Sequence, residues 1–264
     1  MTTTATAARG PGSADVPAAV AARLTDVTQH FGEASRPPVL EHIDLTVEPG
    51  EFVCLLGASG CGKSTLLSLV AGLDTPVSGT VEVPGGRPAL MFQEPALYPW
   101  LSAGGNIELA LRLRGVPRRE RRAEAERLLT LVRLDGAAPK RVHELSGGMR
   151  QRVALARALA QEGDLLLMDE PFAALDAITR DVLHEELTRI WRETGRAVIF
   201  VTHNVREAVR LGQRVVLLSS RPGRVVREWR VDLPHPRRIE DSGVSALSAE
   251  ITEHLRLEIA RHGH

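Results

Sequence analysis

Cysteine and lysine are almost missing from this chain of 264 residues. The two cysteines, Cys54 and Cys61, stand too close together along the sequence to suggest a structural bridge. Usage this sparse fits a reducing cytosol rather than a disulfide scaffold. Cys61 reads either as a small filler of its turn or as an oxidation-sensitive thiol. Net charge is missing too: 33 basic residues balance 33 acidic ones, so no strongly basic field argues for nucleic acid. No run of about 18 apolar residues occurs, so no membrane-spanning helix is expected. Aromatics are few, with five phenylalanines, three tryptophans and one tyrosine. Residues 1–20 are mostly Thr, Ala, Gly and Pro without an apolar core. They are expected to form a disordered tail rather than a signal peptide, in a soluble, cytosolic chain. The remainder is long enough for a buried core in one large domain or two small ones.

Of the 33 basic residues only Lys63 and Lys140 are lysines. A lysine kept where arginine serves elsewhere points to a need for a compact ammonium. Lys63 lies in GASGCGKST, Gly57 to Thr65, between an apolar run ending at Leu56 and a helix-like run from Leu66 to Ala71. Strand, glycine-rich turn and helix form the setting that the P-loop pattern G-x-x-x-x-G-K-[ST] requires. Gly57, Gly60 and Gly62 let the backbone turn tightly and approach a phosphate closely. The N–H groups of the loop, which also includes Ala58, Ser59 and Cys61, face an anion together with the N-terminus of the next helix. Lys63 would reach the β- and γ-phosphates, and the Ser64 hydroxyl would bind Mg²⁺. The stretch predicts a site for a nucleoside triphosphate.

Arg23–His30 and Val39–Val47 read as strands, joined by a turn holding Pro37 and Pro38. Phe31, at the end of the first, could stack on a nucleotide base or simply close the core edge. Gly72 and Pro76 stop the helix after the P-loop, and short strands follow at Gly79–Val83 and Ala89–Phe92, the latter leading into Gln93. From about 95 to 160 the chain turns helical, with segments at Asn106–Arg114 and Arg118–Val132. The arginine-rich second segment interleaves Glu120, Glu124 and Glu126, which marks a solvated face rather than an RNA site. Ser146 is a natural N-cap for a helix over Met149–Ala160, and Gly147 and Gly148 leave its first N–H groups open to an anion. This is a second phosphate-binding helix start. Leu165–Met168 is too short and apolar for a helix and delivers Asp169 and Glu170 at its end, as a buried parallel strand does. Strand and helix then alternate: helix Arg180–Arg192, strand Ala197–Val201, His203, helix Asn204–Leu211 and strand Arg214–Ser219. That alternation argues a mainly parallel sheet with ligands at its carboxyl edge.

GASGCGKS (57–64), Gln93, LSGGMRQR (145–152), LLLMDE (165–170), ALD (174–176) and His203 together resemble the ATP-binding cassette family, over about residues 23 to 232. A P-loop alone is shared by many NTPases; LSGGM followed by LLLMDE is far more specific. FQEPALYPWLS (92–102), DEPFAALDAITR (169–180), VTHNVREAV (201–209) and RPGRV (221–225) resemble the nitrate/sulfonate/taurine importer group. Asn204 departs from the aspartate common after the family's histidine, but either side chain can cap the next helix.

The resemblance implies an α/β fold: a P-loop, RecA-like, mainly parallel core with an antiparallel β subdomain and an inserted helical subdomain. It implies domains at 21–232 and a helical extension at 233–264, carrying an amphipathic helix at Val244–Arg261. ATP and Mg²⁺ would be bound, the metal by Ser64, Asp169 and Gln93. Glu170 would polarise the attacking water, with His203 and Lys63 near the γ-phosphate. Gln93 would report nucleotide state to the helical insertion. Ser146, Gly147 and Gly148 would close over ATP held by a second copy, with Asp176 at the seam. Tyr98, Pro99 and Trp100 would meet a transmembrane permease subunit or pack within the insertion. The importer would sit at the cytoplasmic face of the membrane, take up a small anionic solute, and depend indirectly on a solute-binding protein. Importers of other solutes and a soluble cassette acting on DNA or ribosomes are the alternatives; the paired cassettes, coiled-coil insertion or zinc module usual in the latter are not visible here. A GTPase would need an N-K-x-D motif, which the sequence lacks, and a non-catalytic scaffold would not need Glu170, His203 and Gln93.

Overall fold

The computed structural model describes residues 20–32 and 37–262, so the tail expected over 1–20 lies almost wholly outside the described residues. In chain order the strands and helices are β1 (Ala22–Gln29), β2 (Leu40–Val47), β3 (Phe52–Leu56), α1 (Lys63–Val70), β4 (Ser78–Glu82) and β5 (Ala89–Met91). Then come α2 (Ala103–Leu113), α3 (Arg118–Leu131), α4 (Gly147–Leu159), β6 (Leu165–Asp169) and α5 (Ala177–Thr194). The chain finishes with β7 (Ala197–Val201), α6 (Val205–Leu211), β8 (Arg214–Leu218), β9 (Val225–Arg230) and α7 (Ser242–His262).

Six strands form one sheet in the order β5-β6-β7-β3-β8-β9, parallel except for β9, which runs antiparallel at the edge. β3, β7 and the first four residues of β6 are buried throughout, so both faces of the sheet are covered and the apolar runs do not alternate. The period of two survives in where each side chain goes. Phe52, Cys54 and Leu56 pack with the helical half, while Val53 and Leu55 pack with α1 and the small sheet. That small sheet is antiparallel, in the order β2-β1-β4. This is the α/β architecture expected: β1 and β2 of the antiparallel sheet precede the P-loop, β4 follows α1, and the helical part lies between β5 and β6.

Two helices start three residues before the sequence reading, for the same reason. α2 begins at Ala103 because Ser102 Oγ accepts the N–H of Gly105 at 3.1 Å, and α5 begins at Ala177 because Asp176 caps it. The charged half of α3 is solvated and carries the pairs Arg122–Glu126 and Arg127–Glu124. β9 was not anticipated: in VVREWR only Trp229 is buried, so neither period is visible. No helix among the described residues is long and apolar enough to cross a membrane.

Candidate active site

Packing dictates the P-loop sequence as much as phosphate does. A Cβ on Gly57 would lie 2.6 Å from Cys61 Sγ and 3.1 Å from the Leu218 carbonyl oxygen. Gly62, the N-cap of α1, has φ +101°, and a Cβ there would meet Leu40 Cδ2 at 2.6 Å. Cys61 is 1% exposed, and burial pushes its thiol pKa up, so the filler role describes it and the oxidation-sensitive one does not. Lys63 is buried and folds back over its own loop, donating to the carbonyls of Gly57 and Ala58 at 2.9 Å each. Its ammonium is thereby fixed at the mouth of the loop.

That mouth opens into a cleft of about 450 Å³. One wall is the loop itself, with Ser59, Gly60, Ser64 and Thr65; Phe31 and Val39 line it too. Gln93, Asp169 and Glu170 arrive from the ends of β5 and β6, the carboxyl edge where open parallel sheets hold ligands. Burial raises the Asp169 pKa; a hydrogen bond from Ser64 opposes this, neighbouring Glu170 adds to it, and Lys63 lowers it. A half-buried carboxyl whose negative form is disfavoured is a site that a cation would relieve. Ser64, Asp169 and Gln93 present oxygen donors only, which suits Mg²⁺ held with the help of substrate phosphates. No cluster of three or more His, Cys, Asp or Glu that could hold a metal without substrate exists among the described residues.

Glu170 sits at φ +41°, a conformation non-glycine residues rarely adopt, and its N–H donates to the Val201 carbonyl at 3.1 Å. Its Oε2 lies 2.9 Å from His203 Nδ1, so the carboxyl and the imidazole form a pair across the β6–β7 ends. His203 is held from both sides. Thr202 Oγ1 accepts the N–H of Asn204 at 3.0 Å, and Asn204 Oδ1 caps α6 through the N–H groups of Arg206 and Glu207. Asparagine therefore fills the capping role where the family commonly has aspartate. Gln93 is tethered from behind, its carbonyl accepting Gln151 Nε2 of α4 at 3.0 Å.

One copy of the chain does not bring every expected site residue together. None of residues 146–149 lines the cleft. Ser146 Oγ caps α4 through the N–H of Met149 at 3.3 Å, and a Cβ on Gly148 would lie 2.6 Å from Thr179 Cγ2. The signature helix start and the start of α5 thus pack on each other, with Gly147 facing Leu175. Asp176 Oδ1 accepts the N–H of Thr179 at 3.0 Å, and backbone hydrogen bonds of this kind lower its pKa. Conversely, Arg221 lines the cleft and donates from Nε to the Gly60 carbonyl at 3.1 Å, a placement that the RPGRV stretch does not reveal in sequence.

The model of the ABC transporter family matches residues 40–173. The nitrate import ATP-binding protein NrtD of Synechocystis sp. is 46% identical over 219 residues, 80% of this chain and 82% of that protein. The taurine import ATP-binding protein TauB of Burkholderia thailandensis is 50% identical over 200 residues, 73% of this chain and 77% of that one. Among solved structures, the dimeric post-hydrolysis state of the ATP-binding cassette MJ0796 bound to ADP and Pi is 32% identical. It superposes with a TM-score of 0.69 over 81% of this chain and all of its own. The loop that holds Lys63, the carboxylates facing it and the separate LSGGM helix start have one common explanation, which these likenesses share: the chain belongs to the ABC transporter family and is one of its ATPase cassettes.

Proposed function

We propose that this cassette hydrolyses ATP to energise an importer for a small solute bearing an oxyanion group, of the nitrate or sulfonate kind. Glu170, which lines the cleft with Lys63 and Ser64 and is paired with His203, carries the catalytic reading. Water attacks the γ-phosphorus, the bond to the β–γ bridging oxygen breaks, and ADP leaves with that electron pair. Glu170 orients the water and draws on its proton, which ends on the released phosphate. His203, 2.9 Å from Glu170, orients the carboxyl and would face the transferred group. Lys63 and the loop N–H groups hold the β- and γ-phosphates. Ser64, Asp169 and Gln93 would hold Mg²⁺, which when bound supplies neutralisation of phosphate charge.

Phe31, 51% exposed on the cleft wall, would receive the adenine base. Ser146, Gly147, Gly148 and Asp176, all outside their own chain's cleft, would serve the cleft of a second copy, sandwiching the nucleotide. Transmembrane permease subunits at the cytoplasmic face of the membrane would dock at exposed Tyr98 and Trp100, whose rings lie 5.4 Å apart. A solute-binding protein would act through those subunits. The relatives' names support the solute class: nitrate for NrtD, taurine for TauB.

The catalytic reading is tested with Glu170→Gln, expected to bind ATP, to accumulate as a dimer on a sizing column and to lose at least about 100-fold in kcat. Near-normal turnover would remove Glu170 from its role. Deleting the gene should abolish uptake of labelled nitrate or taurine; unimpaired uptake of both would overturn the solute class.

A further inference from the structure

The turn between β8 and β9 is built against the P-loop from behind. Within it, Ser219 N–H donates to the Arg224 carbonyl at 2.9 Å, while Ser219 Oγ donates to the Pro222 carbonyl at 2.6 Å and accepts Arg224 N–H at 2.9 Å. Outside it, Gly223 N–H donates to the Val39 carbonyl at 2.9 Å, and Glu41 N–H returns to the Gly223 carbonyl at 3.0 Å. Gly223 is pressed so close to the loop that a Cβ would lie 2.2 Å from the Cys61 carbonyl oxygen. The turn is therefore stapled to the P-loop and to the start of β2. Arg221 is its tip, and a single hydrogen bond from Nε to Gly60 anchors the guanidinium, while both Nη groups have no partner among the described residues.

Topology decides which part of the nucleotide Arg221 can meet. The P-loop follows β3, Asp169 and Glu170 come from β6, and His203 follows β7, all on one side of β3; Arg221 follows β8, on the other. On that flank Val39 N–H donates to the Gln29 carbonyl at 2.8 Å, which brings the end of β1, and Phe31 just beyond it, toward the same turn. A planar cation with two free N–H edges, held over the far limb of a phosphate-binding loop, matches phosphate oxygens. We propose that Arg221 is a nucleotide-binding residue that grips the phosphates common to ATP and ADP from the flank opposite the hydrolytic groups. It governs affinity for both nucleotides and leaves the chemical step alone.

This inference rests on the cleft being the nucleotide site, and the test separates the two. MgADP is titrated by calorimetry into the wild-type chain, Arg221→Gln, Arg221→Lys, Arg224→Gln and Lys63→Ala, and ATP into the same variants in a Glu170→Gln background. Arg221→Gln should weaken ADP and ATP alike by about tenfold, the loss of one charge-assisted contact, raise KM in parallel and leave kcat within about twofold. Arg221→Lys should recover part of the affinity, keeping the charge without the planar fork. Arg224→Gln, whose Nε bonds Glu41 Oε2 at 2.9 Å, should change nothing. Unchanged affinities in Arg221→Gln while Lys63→Ala abolishes binding would overturn the role of Arg221. Undiminished binding in Lys63→Ala would overturn the reading of the cleft itself. A loss in kcat rather than in affinity, or an equal loss in Arg224→Gln, would also refute the proposal.

Discussion

Replacing Glu207 with alanine should cost more stability than any single change in the cleft. Glu207, on α6, and His184, on α5, are 7% and 2% exposed. Oε1 lies 2.6 Å from His184 Nε2, and Oε2 accepts the Thr202 hydroxyl. Truncation removes both acceptors at once and strands an imidazole nitrogen and a hydroxyl where water does not reach. Each orphan costs about 1–3 kcal/mol, so two cost roughly 2–6 kcal/mol. At about 2–4 °C per kcal/mol for a chain of this size, the unfolding midpoint should drop by roughly 8–16 °C for a mid-range loss of about 4 kcal/mol. Glu207→Gln keeps the shape and one acceptor and should cost about 1 kcal/mol. The consequence should reach the chemistry, because Thr202 Oγ1 also fixes the Asn204 N–H, and His203 lies between them. Thermal unfolding without nucleotide and kcat with ATP are measured for both variants. If alanine and glutamine unfold within about 2 °C of each other, the carboxyl oxygens do not hold this region and the reasoning fails.

Asp169→Asn should raise the midpoint of the nucleotide-free chain, because the folded state disfavours the Asp169 carboxylate, and should abolish the extra stabilisation that Mg²⁺ adds to ADP. A lowered midpoint in calorimetry would contradict the burial argument. Burial, then Arg237 and Arg192, push the His235 pKa from 6.5 down to about 4. Between those values the unfolded chain binds more protons, so stability should fall as pH drops from 6.5 to 4, and His235→Gln should flatten that slope in pH-dependent unfolding. Trp100→Ala, at a residue 67% exposed, should leave the stability within about 0.5 kcal/mol of wild type. It should nevertheless reduce ATPase stimulation by permease in liposomes; full stimulation would place the docking face elsewhere.

Local chemistry was legible in the sequence and long-range placement was not. The P-loop, the run Leu165–Met168 and the capping of α6 by Asn204 are each written within about ten residues, so spacing alone exposes them. Two helix starts are displaced by a cap: with Ser102 and Asp176 as N-caps, α2 and α5 begin at Ala103 and Ala177, three residues before the Asn106 and Arg180 that the sequence suggests. β9 stayed hidden because an edge strand with one buried side chain, Trp229, has no face to repeat. Arg221 was unreadable for another reason. Its contact with Gly60 spans 161 positions, and nothing in RPGRV says that Gly223 must seat against the Cys61 carbonyl. Only the register of β2, β8 and the P-loop creates that seat.

The same tethering logic explains how a cleft and a distant face can move together. Gln93 and the aromatic segment after it belong to no strand or helix, yet α4 grips them in three places. Gln151 Nε2 donates to the Gln93 carbonyl, and Arg157 donates to the carbonyls of Ala96 at 2.7 Å and Pro95 at 2.8 Å. The Arg157 guanidinium also lies 5.9 Å from the centre of the Tyr98 ring. Burial lowers the Arg157 pKa, so this cation sits in an apolar setting where its carbonyl bonds are hard to replace with water. α4 is the helix that Ser146 caps. In the proposed dimer, the helix whose start closes on the second copy's nucleotide is therefore the one that grips Pro95, Ala96 and the Tyr98 ring. Under that proposal, Ser146 at the start of α4 and the segment proposed to meet the permease would move as one body.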